Sequence, residues 1–206
     1  MAKKYRTKKE KEALMLKGLK IGGLIFALVL ALTILFAAVV PPLVKSPRFN
    51  YFFNPWDDGI CFDAFTKNEL FAYSTAIEAI EENKGFNFSE VACRYLAVDL
   101  SAVEPRLQQG LKGYFGYWAK KNDKELIFAT KQELKDRGLI LDDGKDTFQD
   151  GYLLEFHDNN WSEQRDRLVV NYYFHHANFD GRGYTVTVNE TAFGWEAEEY
   201  IRDLYS

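Results

Sequence analysis

Residues 21–40 carry no charge, and thirteen of the twenty are Leu, Ile, Phe or Val; Ala, Gly and one Thr make up the rest. As a helix at about 1.5 Å per residue, such a run spans roughly 30 Å, the thickness of a bilayer's hydrocarbon core. Each of its large apolar residues favours insertion by about 0.3–0.6 kcal/mol near the helix centre. The run is therefore expected to be a transmembrane helix, with every other segment placed on one side of it or the other.

Charge says which side. Residues 1–20 hold eight Lys and Arg against Glu10 and Glu12, a net +6, in a chain whose total is −4, so the remainder carries −10. A basic arm before the span and an acidic body after it predict the N-terminus in the cytoplasm and the C-terminal part outside. The arm also suits an anionic inner leaflet, and the acidic body argues against nucleic acid as a partner. A cleaved signal peptide is the competing reading. Against it, the apolar run exceeds the usual core length, and Pro41-Pro42 follows where small residues would mark a cleavage site. The expected location is the cell membrane, single-pass, with a domain of normal size beyond it.

The organisation expected is a basic cytoplasmic arm (1–20), a transmembrane helix (21–40), a Pro/aromatic juxtamembrane linker (41–65) and an extracytoplasmic α+β domain (66–206). Within the linker, Phe49, Tyr51, Phe52, Phe53 and Trp56 would either line the outer headgroups or pack on the domain as a strand or loop. Residues 67–83 place Leu70, Tyr73, Ile77 and Ile80 at helical spacing. Ser89 opens a second candidate helix with Val91, Tyr95, Leu96 and Val98 inward. Pro105 begins a third, in which Leu107, Leu111, Phe115 and Trp118 recur, with Gly110, Gly113 and Gly116 positioned for close packing. Residues 125–129 read as a short strand, and Thr130-Lys131-Gln132-Glu133 as a capping box before a short helix to Arg137, with Gly138 as its C′ residue.

From residue 152 the period becomes two. Tyr152, Leu154 and Phe156, then Leu168, Val170, Tyr172 and Phe174, then Tyr184, Val186 and Val188 alternate with more polar neighbours, as in a sheet with one buried face. The tail from Gly194 suits a strand paired with 184–190, with a helix as the alternative. Helices packed on a four- to five-stranded, mainly antiparallel sheet are therefore expected, an α+β fold. This order of elements over 66–205 resembles the cystatin-like, or nuclear-transport-factor-2-like, cone, in which a curved sheet wraps a long helix. Such a likeness carries no function.

Few residues suggest chemistry. Cys61 and Cys93 would both lie outside; in an oxidising compartment they would close a loop of about 33 residues, worth roughly 3–4 kcal/mol. The alternative is two buried thiols that never meet. His175 and His176 are adjacent and face opposite ways on a strand, so only one can join His157, too few for zinc. Asp142, Asp143, Asp146 and Asp150 lack the spacing of a calcium loop. Asn87, Asn160 and Asn189 head Asn-x-Ser/Thr triplets, relevant only where glycosylation operates. No nucleophile or phosphate-loop motif is present, and no cofactor or metal is expected. Glu155, His157, Tyr173 and His175 share a polar sheet face and form the candidate ligand surface.

The function expected is binding or assembly outside the cytoplasm, with the lipid bilayer and a membrane or extracytoplasmic protein as partners. Two alternatives stand beside it. One is a subunit docked in a membrane complex through its Gly22-Gly23 and Ala27/Ala31 helix face; the other is a membrane-anchored hydrolase with a cavity on the sheet.

Overall fold

The computed structural model describes residues 21–38, 47–53, 62–82, 92–176 and 181–203. The basic arm, Pro41-Pro42, Trp56, Cys61 and Ser89 lie outside these residues. The chain divides into two compact units, Met1–Ser46 and Pro47–Ser206.

In the first unit, α1 (Ile21–Ala38) is a single helix of 18 residues with mean hydropathy 2.7 and no buried side chain. It is long and apolar enough to cross a membrane. Its one hydroxyl is satisfied within the helix, Thr33 Oγ1 donating to the Val29 carbonyl at 2.8 Å.

The second unit is α+β, with helices on a mixed sheet. Its elements are α2 (Pro47–Phe53), α3 (Ala64–Glu82), β1 (Tyr95–Asp99), α4 (Pro105–Lys121), β2 (Glu125–Phe128) and α5 (Lys131–Asp136). Four long strands follow: β3 (Gly151–Trp161), β4 (Arg167–His175), β5 (Gly181–Thr191) and β6 (Gly194–Asp203). The aromatic run of the supposed linker forms α2. Tyr51 and Phe52 are buried, and Phe52 stacks on Tyr114 of α4 with ring centroids 5.9 Å apart. The first long helix begins earlier than its apolar stripe, at Ala64, where the Asp63 carboxylate accepts the Thr66 N–H at 2.8 Å.

The sheet has six strands in the order β2-β1-β3-β4-β5-β6 and is mixed, which corrects the expected four or five mainly antiparallel strands. β1 pairs in parallel with both β2 and β3, whereas β3 to β6 form an antiparallel meander. The extra strand is the segment expected to be a second helix. Leu96, Ala97 and Val98 are all buried, because β1 has strands on both sides and helices over both faces. A strand covered on both faces shows no alternation, and a short apolar run of this kind reads equally as helix. The tail forms β6, antiparallel to β5.

Two cores lie on opposite faces. Leu96 and Val98 of β1, Leu154 and Phe156 of β3 and Tyr172 of β4 enter the large core with α3 and α4. Ala97 and Leu153, one residue out of phase, enter a small core with Leu134 of α5, Ile140 and Phe148. The capping box forms as read: Thr130 Oγ1 accepts the Glu133 N–H while Glu133 accepts the Thr130 N–H, and Gly138 turns the chain at φ +71°.

Of the three helical glycines in α4, two are contact points. A Cβ at Gly110 would strike Leu70, and one at Gly113 would fall on the buried Tyr51 ring, whereas one at Gly116 meets nothing within 4 Å. Gly116→Ala is therefore expected to raise stability by about 0.5–1 kcal/mol through helix propensity. Gly113→Ala is expected to lower it by about 1–3 kcal/mol through overpacking. Urea unfolding midpoints moving in opposite directions would verify the distinction.

Candidate functional site

Glu155, His157, Tyr173 and His175 come together on the face of the sheet opposite α3. Leu154 and Phe156 point into the large core, so their neighbours Glu155 and His157 point away from it. In the β3–β4 register Glu155 lies across from Tyr173 and Leu153 across from His175. This sets Glu155 diagonal to His175, and its Oε2 meets His175 Nε2 at 2.5 Å. The next rung is aromatic, with the His157 and Tyr173 rings edge-to-face at 4.7 Å. Beyond it Thr185 Oγ1 donates to Asn171 Oδ1 at 2.7 Å, and Asn171 Nδ2 donates to the Asp158 carbonyl at 2.9 Å. Polar side chains on three neighbouring strands are thus paired across the face.

Burial is the largest influence on Glu155 and pushes its carboxyl upward. The His175 hydrogen bond, with the charges of His175, His157 and Lys131, outweighs it and holds the group below the usual carboxylate range. His176 diverges from its neighbour: its Nδ1 meets the Gly151 carbonyl at 2.8 Å, and its ring lies 5.4 Å from Tyr152. A histidine–carboxylate pair beside an aromatic edge can exchange a proton or hydrogen-bond a ligand laid against the sheet. Among the described residues, no group of three or more His, Cys, Asp or Glu is placed to hold a metal ion.

The acidic turn is committed to local structure. Asp143 accepts from Lys145 N and from the Thr147 hydroxyl, Asp146 pairs with Lys131 and Lys135, and Asp150 accepts the Arg94 N–H. Cys93 is half-buried, and burial pushes its thiol upward, away from the reactive thiolate. Its pairing with Cys61 lies outside the described residues.

A second charged constellation escaped sequence reasoning. Glu69 of α3, with 2% of its side chain exposed, is flanked by Arg106 and Arg165. Arg106 Nη2 donates to Glu69 Oε1 at 2.7 Å, and Arg165 Nη2 donates to Glu104 Oε1 at 2.7 Å. Arg106 Nε also donates to Glu104 Oε2, at 3.0 Å. Arg165 Nε and Glu69 Oε2 meet their partners as charge contacts rather than aligned hydrogen bonds. The Arg165 guanidinium lies 4.7 Å from the Trp161 ring centroid. Burial raises the Glu104 carboxyl, yet Arg165 and Arg106 together hold it below its ordinary value. The available signal was Glu69 itself, four residues before Tyr73 and hence on the buried stripe of its helix.

A scan against protein-family models, a search of curated proteins and a search of solved structures each returned no match. The element order behind the likeness to a cystatin-like cone is itself changed by β1, a strand where a helix was expected, and the functional reading rests on geometry.

The lowered Glu155 carboxyl has a sign. Its contribution to stability is complete above the unfolded carboxylate value, near 4.5, and is lost as pH falls through the depressed folded value. The urea midpoint of the wild-type protein is expected to fall between about pH 5 and pH 3, and Glu155→Gln to flatten that limb while lowering the midpoint at pH 7. Midpoints measured across this range test the pairing.

Proposed function

We propose that this is a single-pass membrane-anchored protein whose unit Pro47–Ser206 lies outside the cytoplasm and acts as a binding or assembly module. The observation that carries the reading is α1, apolar and exposed along its whole length. In water that surface is unfavourable at about 25 cal/mol per Å2, whereas hydrocarbon accommodates it. The +6 arm before it and the −10 remainder after it support the orientation. The ligand surface is the polar, half-buried sheet face carrying Glu155, His157, Tyr173 and His175, and its occupant is another protein outside the cytoplasm. Binding is favoured over hydrolysis because the Glu155 and His175 side chains are bonded to each other and largely buried, on the sheet face that also carries the small core.

One observation favours a second reading, docking of α1 against a multi-pass partner. Gly22-Gly23 and the Ala27/Ala31 spacing place small residues along α1. Such a smooth face lets two helices approach closely in lipid.

Protease added to right-side-out vesicles is expected to digest residues 47–206 and leave the lysines of residues 1–20 intact. The reverse pattern would overturn the topology. Replacing both Gly22 and Gly23 by Leu keeps the span apolar. Loss of a co-purifying membrane protein from that variant in mild detergent would favour the docked-subunit reading.

A further inference from the structure

β1 and β2 are parallel neighbours whose outgoing connections leave for opposite faces of the sheet. From β1 the chain turns to α4 over the large core; from β2 it turns to α5 over the small one. Connections that diverge in this way open a crevice beyond the carboxyl ends of the two strands. A cleft of about 170 Å3 lies there. This is below the roughly 300–1,000 Å3 of sites for drug-sized molecules, so its occupant is small.

The walls carry charge of both signs. Asp99 ends β1, Lys112 comes from α4 and Glu133 from α5, with Ser101 and Gln108 beside them. Asp99 Oδ1 accepts the Ser101 N–H at 2.8 Å, and Glu133 Oε2 accepts from Thr130 N and Oγ1. Each carboxylate thus holds its loop with one oxygen, leaving Asp99 Oδ2 and Glu133 Oε1 for a ligand. The Lys112 ammonium lies 5.7 Å from the Phe128 ring centroid and forms no ion pair with either acid among the described residues. Two carboxylates and one ammonium therefore share a small cleft without neutralising one another.

We propose that this cleft binds a small zwitterion, a free α-amino acid, with its ammonium between Asp99 and Glu133 and its carboxylate on Lys112. Other occupants satisfy the walls less well. A simple anion meets two carboxylates, and a simple amine leaves Lys112 unanswered. A sugar loses the aromatic face on which it would stack, because Lys112 already covers Phe128. Only a ligand carrying both charges pairs all three groups, and charge-assisted hydrogen bonds are the stronger kind.

The test is isothermal titration calorimetry on the full chain in nanodiscs. The probes are the twenty common amino acids, each alone, with methylamine, acetate and D-glucose as partial or uncharged mimics. At least one amino acid is expected to bind with a Kd of about 1 mM or tighter, and the mimics at least about tenfold more weakly. Lys112→Met, which keeps the contact with Phe128, and Asp99→Asn, which keeps an acceptor for Ser101 N, should each weaken binding about tenfold or more. Both side chains are only half-buried, and Ser101→Trp, at an exposed lining position, is likewise expected to weaken binding about tenfold or more. Absence of binding by all twenty amino acids overturns the proposal. So does preferential binding of glucose or methylamine, or amino-acid binding that survives Lys112→Met and Asp99→Asn.

Discussion

The architecture depends on five residues, Tyr95 to Asp99, holding parallel neighbours on both sides. A parallel pair cannot be joined by a tight turn, so the chain must cross over the sheet between strands. From β1 it crosses with α4 to reach β2 on one side; from β2 it crosses back with α5 to reach β3 on the other. Moving in opposite directions along the sheet with the same handedness requires the two helices to lie on opposite faces. Alternate residues of one short strand accordingly serve two cores, Leu96 and Val98 the larger and Ala97 the smaller. The same reversal separates the loops after β1 and β2 and so makes the cleft. β3 then ends the parallel region by pairing antiparallel with β4, and hairpin connections suffice for the rest.

The large core is closed at one end by charge rather than by apolar packing. Glu69 projects from the buried stripe of α3, where an isolated carboxylate would cost several kcal/mol. Arg106 at the start of α4 and Arg165 in the β3–β4 hairpin answer it, and Glu104 balances the second guanidinium. Three elements far apart in sequence are thereby fixed to one another. Arg165 has φ +58°, a conformation that costs a side-chain-bearing residue roughly 1–2 kcal/mol. It persists because its side chain is held against Trp161 and by two carboxylates. The arrangement defines geometry more than it adds stability, since well-packed apolar residues can match a buried ion network.

Where local signals agree with the fold, the elements were readable from the amino acids. α5 was legible because its cap is written in four consecutive residues, and α4 because Pro105 opens it and apolar residues repeat at four. The candidate sheet face was legible because β3 and β4 alternate cleanly until the irregularity after Phe156. β1 was not, since burial on both faces removes the period that distinguishes strand from helix. α2 was hidden by its length, only seven residues, too short for a helical stripe to stand out among aromatics. The Glu69 network and the cleft were invisible for a different reason. Their members are brought together by topology, Glu69 and Arg165 by the hairpin, Asp99 and Glu133 by the divergence of two connections.

The sheet's edges bear on how such a domain meets a partner. An exposed strand edge invites pairing with another chain, and proteins commonly block it with charge or brevity. β6 carries the exposed Glu196 and Glu198, and Asn189 Nδ2 of β5 donates to Glu198 Oε2 at 2.7 Å. β2, at the other edge, has four residues, and Lys112 lies over Phe128. Strand addition is therefore disfavoured at both ends. Under the proposed binding function, recognition falls to the face and to the crevice, where side chains rather than main chain present the donors and acceptors. On the face these groups are already paired with one another, Glu155 with His175 and Asn171 with Thr185, and so are held in fixed positions. Little side-chain entropy would remain to be lost to a partner of the proposed kind.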